Sequence, residues 1–303
     1  MKAIRVFVMI ALMAGFSLAG QEKLSEPPFH IFFHSADKPA AVKLFQTVRV
    51  RRTEVEDFYG IPFKDSVSII IASTEMEFNR EAGGGIPDWG QAVAIPTQNR
   101  IVLKSPSMNA LLTNLVQPLD VIVVHEMSHV LFHQTIGDPD RHVPRWLNEG
   151  CAMMVSKQSV QLEALEKAVL TKSLLRLDDI DDVLRYGDIK ADLCYDQSYS
   201  AVNYLIERYG IGVVRTILAR VDSTTDFETA FKISTGQSVY AFESDWENSL
   251  AKPVWTRWLT YVDEFLWIVV LPFLFFSAWL MKRKAMKRKE QEWERDESKL
   301  DNH

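Results

Sequence analysis

The sequence predicts an α+β protein: an N-terminal mixed β-sheet, then a helical part, then one C-terminal transmembrane helix. Three patterns predict it. Short β-branched and aromatic runs fill the first third, helical patterns fill the rest of the body, and an uncharged apolar stretch near the C-terminus runs into a cluster of cations. With 303 residues and 47% hydrophobic content, the chain can bury a full core.

Lys2 and Arg5 precede apolar residues 6–16, and small residues at 17–20 offer a cleavage site, so 1–20 reads as a secretory signal peptide. The exported body then occupies 21–253. FHIFFH at 29–34 reads as a first strand, and 36–59 as a mixed-charge helix ending at Gly60. The β-branched run SVSIIIA at 66–72 reads as a central strand. A glycine-rich loop at 83–90 leads into 91–96 and 100–104, a hairpin at the sheet edge. From Ser107 the pattern is helical, over 108–116, 119–134, 145–156, 160–175, 191–208, 211–220, 227–233 and 239–250, with a turn at Gly137-Asp138-Pro139-Asp140.

Residues 254–264 form a juxtamembrane approach with Trp255, Trp258 and Tyr261 as interfacial aromatics. The uncharged stretch 265–281 (FLWIVVLPFLFFSAWLM) then rises about 26 Å as a helix, the short end of the membrane-spanning range. Six cations follow within 282–289, so the positive-inside rule puts the basic tail, 282–303, in the cytoplasm and the body outside it.

A net charge of −6, with no basic patch outside that tail, argues against nucleic acid as a partner. The tail cations suit topology and anionic lipid head groups instead. Only two cysteines occur, Cys151 and Cys194, without metal-finger spacing. A disulfide between them and a pair of buried thiols are both open readings in an exported chain.

The chemistry centres on VIVVHEMSHVLF at 121–132, an apolar helix carrying H-E-x-x-H. Residues four apart share a helix face, so His125 and His129 can offer two imidazole nitrogens to one metal ion. Glu126, about 100° round the helix, can reach a water on that metal without being a ligand. Catalytic zinc usually takes three protein ligands. Glu149, in PRWLNEGCA at 144–152, follows His129 at a distance that lets a second helix return beside the first.

H-E-x-x-H and W-L-N-E-G-x-A in this order and separation resemble the gluzincin zinc peptidases, the thermolysin-like and aminopeptidase-N-like enzymes, and especially their small peptidase MA-like relatives. The likeness runs from about residue 29 to 246. It implies a zincin-like fold, one Zn2+ held by His125, His129 and Glu149, Glu126 as general base, and a peptide or protein substrate. CYDQSYSAVNYLIERYG at 194–210 is similar to the aminopeptidase-N helix that begins with an oxyanion-binding tyrosine, which implies that role for Tyr195, with Tyr199 one turn on as a second candidate. In gluzincins the strand before the zinc helix lies along the substrate, which implies pairing near 90–94.

His133 falls one turn past His129, but a metzincin needs a glycine break and a histidine further on, and Thr135 stands in that histidine's place. His133, His30, His34 and His142 are therefore read as surrounding or surface residues. The G-x-M-E-N stretch with which aminopeptidases read a free amine is replaced by Gly90-Gln91-Ala92-Val93-Ala94, which favours endopeptidase action. Two other readings are a retired peptidase fold serving as a binding scaffold at the membrane and a zinc hydrolase of a non-peptide bond.

Overall fold

The computed structural model describes residues 21–86, 90–108, 118–137, 141–160, 162–185 and 188–300. Strands β1 (Gln21–Glu26), β2 (Phe29–His34), β3 (Val67–Ala72), β4 (Ala92–Ile95) and β5 (Arg100–Lys104) form one mixed sheet in the order β1-β2-β3-β5-β4. β2, β3 and β5 are parallel, and β1 and β4 run antiparallel at the two edges. β3 is central, as its apolar run predicts, and five of its six residues are buried, as expected of a strand covered on both faces. The hairpin expected at 91–96 and 100–104 is β4–β5, turned through Asn99 in the left-handed region. β1 was not anticipated, because QEKLSE carries one apolar residue and owes its strand to pairing with β2.

Between β2 and β3 runs α1 (Lys38–Tyr59), which buries Ala41, Leu44, Val48 and Val55 at helical spacing and ends at Gly60 with φ 70°. A short helix, α2 (Glu75–Ala82), also escaped the sequence pattern. It is polar and rests on the Thr74 cap, whose side chain accepts from the Glu77 N–H.

The helical part begins with α3 (Leu119–Ile136), opened by Pro118 and stopped by Gly137 at φ 77°. Val123, Val124, Met127, Val130, Leu131 and Phe132 are buried, so α3 is enclosed on nearly every side. α4 (Arg145–Ser156) starts after Pro144 and packs on both α3 and α6 (Asp188–Tyr209). α5 (Leu162–Thr171) stops short of the expected residue 175 because the chain leaves the helix at Lys172, with φ 54°. A 3-10 segment, Leu177–Arg185, follows it, then after α6 come α7 (Gly212–Leu218) and α8 (Phe227–Thr235). Residues 1–20, the turn at 138–140 and all of the expected helix 108–116 except Met108 lie outside the described residues.

The chain divides into two compact units, Met1–Glu247 and Asn248–His303. The last helix, α9 (Val239–Leu300), has no break at 250–254, where the sequence suggested one. Of the span expected at 265–281 the structure gives the helix alone: among the described residues no helix is long and apolar enough to cross a membrane.

Candidate metal centre and its cleft

Three polar ties, one of them fully buried, aim α3. Tyr59 of α1 meets Ser128 of α3, hydroxyl to hydroxyl, at 2.7 Å. At the far end of α3, the Lys64 N–H donates to Gln134 Oε1 at 2.9 Å, and Gln134 Nε2 donates to Asn99 Oδ1 at 2.7 Å. These bonds tie the helix to α1 and to the β4–β5 turn, so helix and sheet edge hold a fixed relation.

Between them lies a cleft of about 600 Å³. Its walls are Gly90 and Ala92–Ala94 from the sheet edge, His125, Glu126, His129 and His133 from α3, Arg145 and Glu149 from α4, and Tyr195 from α6. All five residues singled out in the sequence therefore face one space, and Tyr195, not Tyr199, is the tyrosine that lines it.

α4 brings Glu149 against the histidines because it can approach α6 closely at Gly150. A Cβ at Gly150 would fall 2.3 Å from the Ser198 carbonyl oxygen. Glu149 Oε2 stands 3.4 Å from His125 Nε2 and 3.4 Å from His129 Nε2. One ligand atom from each of the three residues falls within 4.8 Å of the others, so this group could hold a metal ion. Two ligands about 2.0–2.1 Å from a tetrahedral zinc stand about 3.3–3.4 Å apart, so the donor set fits that ion. Asn148 orients the ring: its Oδ1 accepts from His129 Nδ1 at 2.9 Å, which makes Nε2, facing Glu149, the nitrogen that would give its lone pair to a metal.

Without a metal, the buried charges of the site compensate one another. Burial pushes the His129 imidazole down, but the Glu149 carboxylate outweighs it, and the pKa rises to about 9. Burial pushes Glu149 up, yet His129 and His125 hold it well below the usual carboxylate range. Burial, helped by the neighbouring Glu149 charge, pushes the Tyr195 phenol far up, so it stays a protonated donor. Glu126 is buried as well.

Among the described residues the other histidines stand outside that group. His133 and His142 line the cleft, His142 bonding Asp181 at 2.9 Å, while His30 meets Ser25 and His34 meets Glu77. Cys151 and Cys194 are buried and not bridged, and burial pushes the Cys151 thiol far above its ordinary value. Asn148, Arg145 and Asp181 were given no role in the sequence. Asn148 stands inside the quoted W-L-N-E-G motif, the signal that could have found it. Asp181 bonds the Arg145 N–H from the 3-10 segment, which no spacing rule reaches.

A helix-borne His-His pair facing a glutamate on the next helix, beside the edge of a mixed sheet, defines a zincin-like α+β protein of the gluzincin form. The comparison with known families agrees. The Peptidase MA superfamily profile matches residues 53–252, and the chain belongs to that superfamily. It is also 27% identical, over 135 residues, to a protein of Bacillus subtilis (strain 168) described as "Uncharacterized protein YhcO". That match covers 43% of this chain and 41% of the relative, so the likeness spans well under half of either protein.

Proposed function

We propose that the protein is a membrane-anchored, zinc-dependent metallopeptidase, its catalytic body outside the cytoplasm, cleaving peptide bonds in peptides or proteins near the membrane. The observation that carries this reading is the convergence of His125 Nε2 and His129 Nε2 on Glu149 Oε2, each at 3.4 Å.

Zinc held by those three residues would polarise the scissile carbonyl and make a bound water acidic near neutral pH. The chain's own groups supply the rest. Glu126, buried beside the histidines on α3, takes the proton of the attacking water and returns it to the leaving nitrogen. Tyr195, kept protonated by burial, donates a hydrogen bond to the oxyanion that develops on the carbonyl oxygen. Ala92–Ala94 offer an edge strand along which an extended substrate can pair.

The anchor is supported by sequence and helix together. All of 265–281 is helical and uncharged, and its described apolar side chains are exposed, Phe273, Phe275 and Met281 by 68%, 76% and 68%. The cations of 282–289 then set the tail inward.

The test uses the full chain purified in detergent. One zinc per chain, lost in Glu149→Ala and kept in Glu126→Gln, with peptide hydrolysis lost in both variants, is the expected result. No zinc after metal is supplied overturns the metal reading, and undiminished hydrolysis by Glu126→Gln overturns the base. Release of the chain from membranes by alkaline carbonate overturns the anchor alone.

A further inference from the structure

The metal ligands, base and tyrosine leave a strongly hydrogen-bonding group in the cleft unused. Arg145 stands on α4 one turn before Glu149 and lines the same space, with its side chain 33% exposed. Its backbone N–H donates to Asp181 Oδ1, but its guanidinium has a different situation. Among the described residues its nearest carboxylate oxygen is Glu149 Oε1 at 4.0 Å, beyond hydrogen-bond reach. Glu149 directs its other oxygen at both histidines. Asp181 is already engaged, one oxygen by the Arg145 N–H and the other by His142. A guanidinium, with its N–H donors in a planar fork, thus stands in the cleft wall one helical turn from the metal ligand.

We propose that Arg145 anchors a substrate carboxylate, so that the enzyme selects peptides bearing a negative charge next to the bond it cuts. A guanidinium fork pairs two oxygens of a carboxylate at once, which a neutral amide cannot reproduce. The carboxylate has two sources, an acidic side chain or the free C-terminus of a short peptide. This inference rests on the peptidase reading, and its test is separable from it.

The test is binding, read by fluorescence polarisation, on the zinc-loaded full chain carrying Glu126→Gln, so that nothing is cut. One pair of labelled alanine-rich decapeptides differs only in a central Glu or Gln, both with amidated C-termini. A second pair carries the central Gln and ends in a free acid or an amide. The expected result is about tenfold tighter binding of the charged member of one pair, which also identifies the source, consistent with one charge-assisted pair. In Arg145→Met the two members bind within about twofold of each other, while Arg145→Lys keeps part of the preference. An arginine that served only to hold α4 would move all affinities together and leave this ratio unchanged. Equal binding within both pairs, or a preference that survives Arg145→Met, overturns the anchor. If the preference holds while the Glu126-intact chain fails to cut the bound peptides, the anchor stands and the peptidase reading falls.

Discussion

Replacing Gly150 by alanine tests whether the close approach of α4 to α6 is what assembles the site. The new Cβ would lie 2.3 Å from the Ser198 carbonyl oxygen, 2.5 Å from Val202 Cγ2 and 2.7 Å from the Ser198 carbonyl carbon. Comfortable carbon–oxygen contacts stand at about 3.3–3.6 Å, so the helices must part by about 1 Å. Two of the three obstacles are backbone and cannot turn aside. Overpacking of this kind costs about 1–3 kcal/mol, which in a domain of this size lowers Tm by about 2–4 °C per kcal/mol. The functional effect is larger, because Glu149 and Tyr195 ride on the two helices that separate. Metal-ligand distances tolerate about 0.2 Å, so a shift of about 1 Å is expected to weaken zinc at least tenfold. Thermal unfolding and a competitive chelator titration read the two effects. Gly212→Ala, where nothing lies within 4 Å, is the control and should change neither. A Gly150→Ala protein with wild-type Tm and zinc affinity would refute the packing argument.

Asn148→Ala removes the acceptor of His129 Nδ1 and should lower zinc affinity about 10- to 100-fold in the same chelator titration, with the fold intact by circular dichroism. Tyr195→Phe should lower kcat by about 100-fold or more with KM little changed, as loss of an oxyanion donor does in steady-state kinetics. Glu77 gives a pH test. Burial raises its pKa, but hydrogen bonds from His34 and the Ser73 N–H together hold it below the ordinary value. A carboxyl depressed on folding stabilises above its unfolded pKa of about 4.3 and loses that contribution as pH falls through the folded value. The urea midpoints of wild type and Glu77→Gln should therefore differ at pH 7 and draw together below about pH 4. A constant gap across that range would contradict the assignment.

His125, Glu126, His129 and Glu149 were legible because a helix turns spacing into a shared face, and Tyr195 through a likeness of motif. β3 and the β4–β5 hairpin were legible because β-branched runs bounded by turn residues have few other readings. What stayed hidden depends on approach between elements far apart in sequence. The need for glycine at 150 arises only when Ser198 arrives against it, and the Asp181 contact with Arg145 only when a 3-10 segment folds back. β1 is a strand by its partner's choice, since its own residues are mostly polar. The apolar stretch at 265–281 was legible as an uncharged helix, and its helical state follows that reading.

The two edges of the sheet have opposite surface chemistry. β1 carries Glu22, Lys23 and Glu26, charges that discourage a second chain from adding to that side. β4, AVAI, carries none and is protected instead by brevity, four residues ended by Pro96. An incoming extended chain is thus steered to the side where the cleft lies. The same asymmetry bears on high concentration: self-association by strand addition at β4 would seal the cleft, so for the proposed peptidase a crowded preparation is expected to lose activity before solubility and to regain it on dilution.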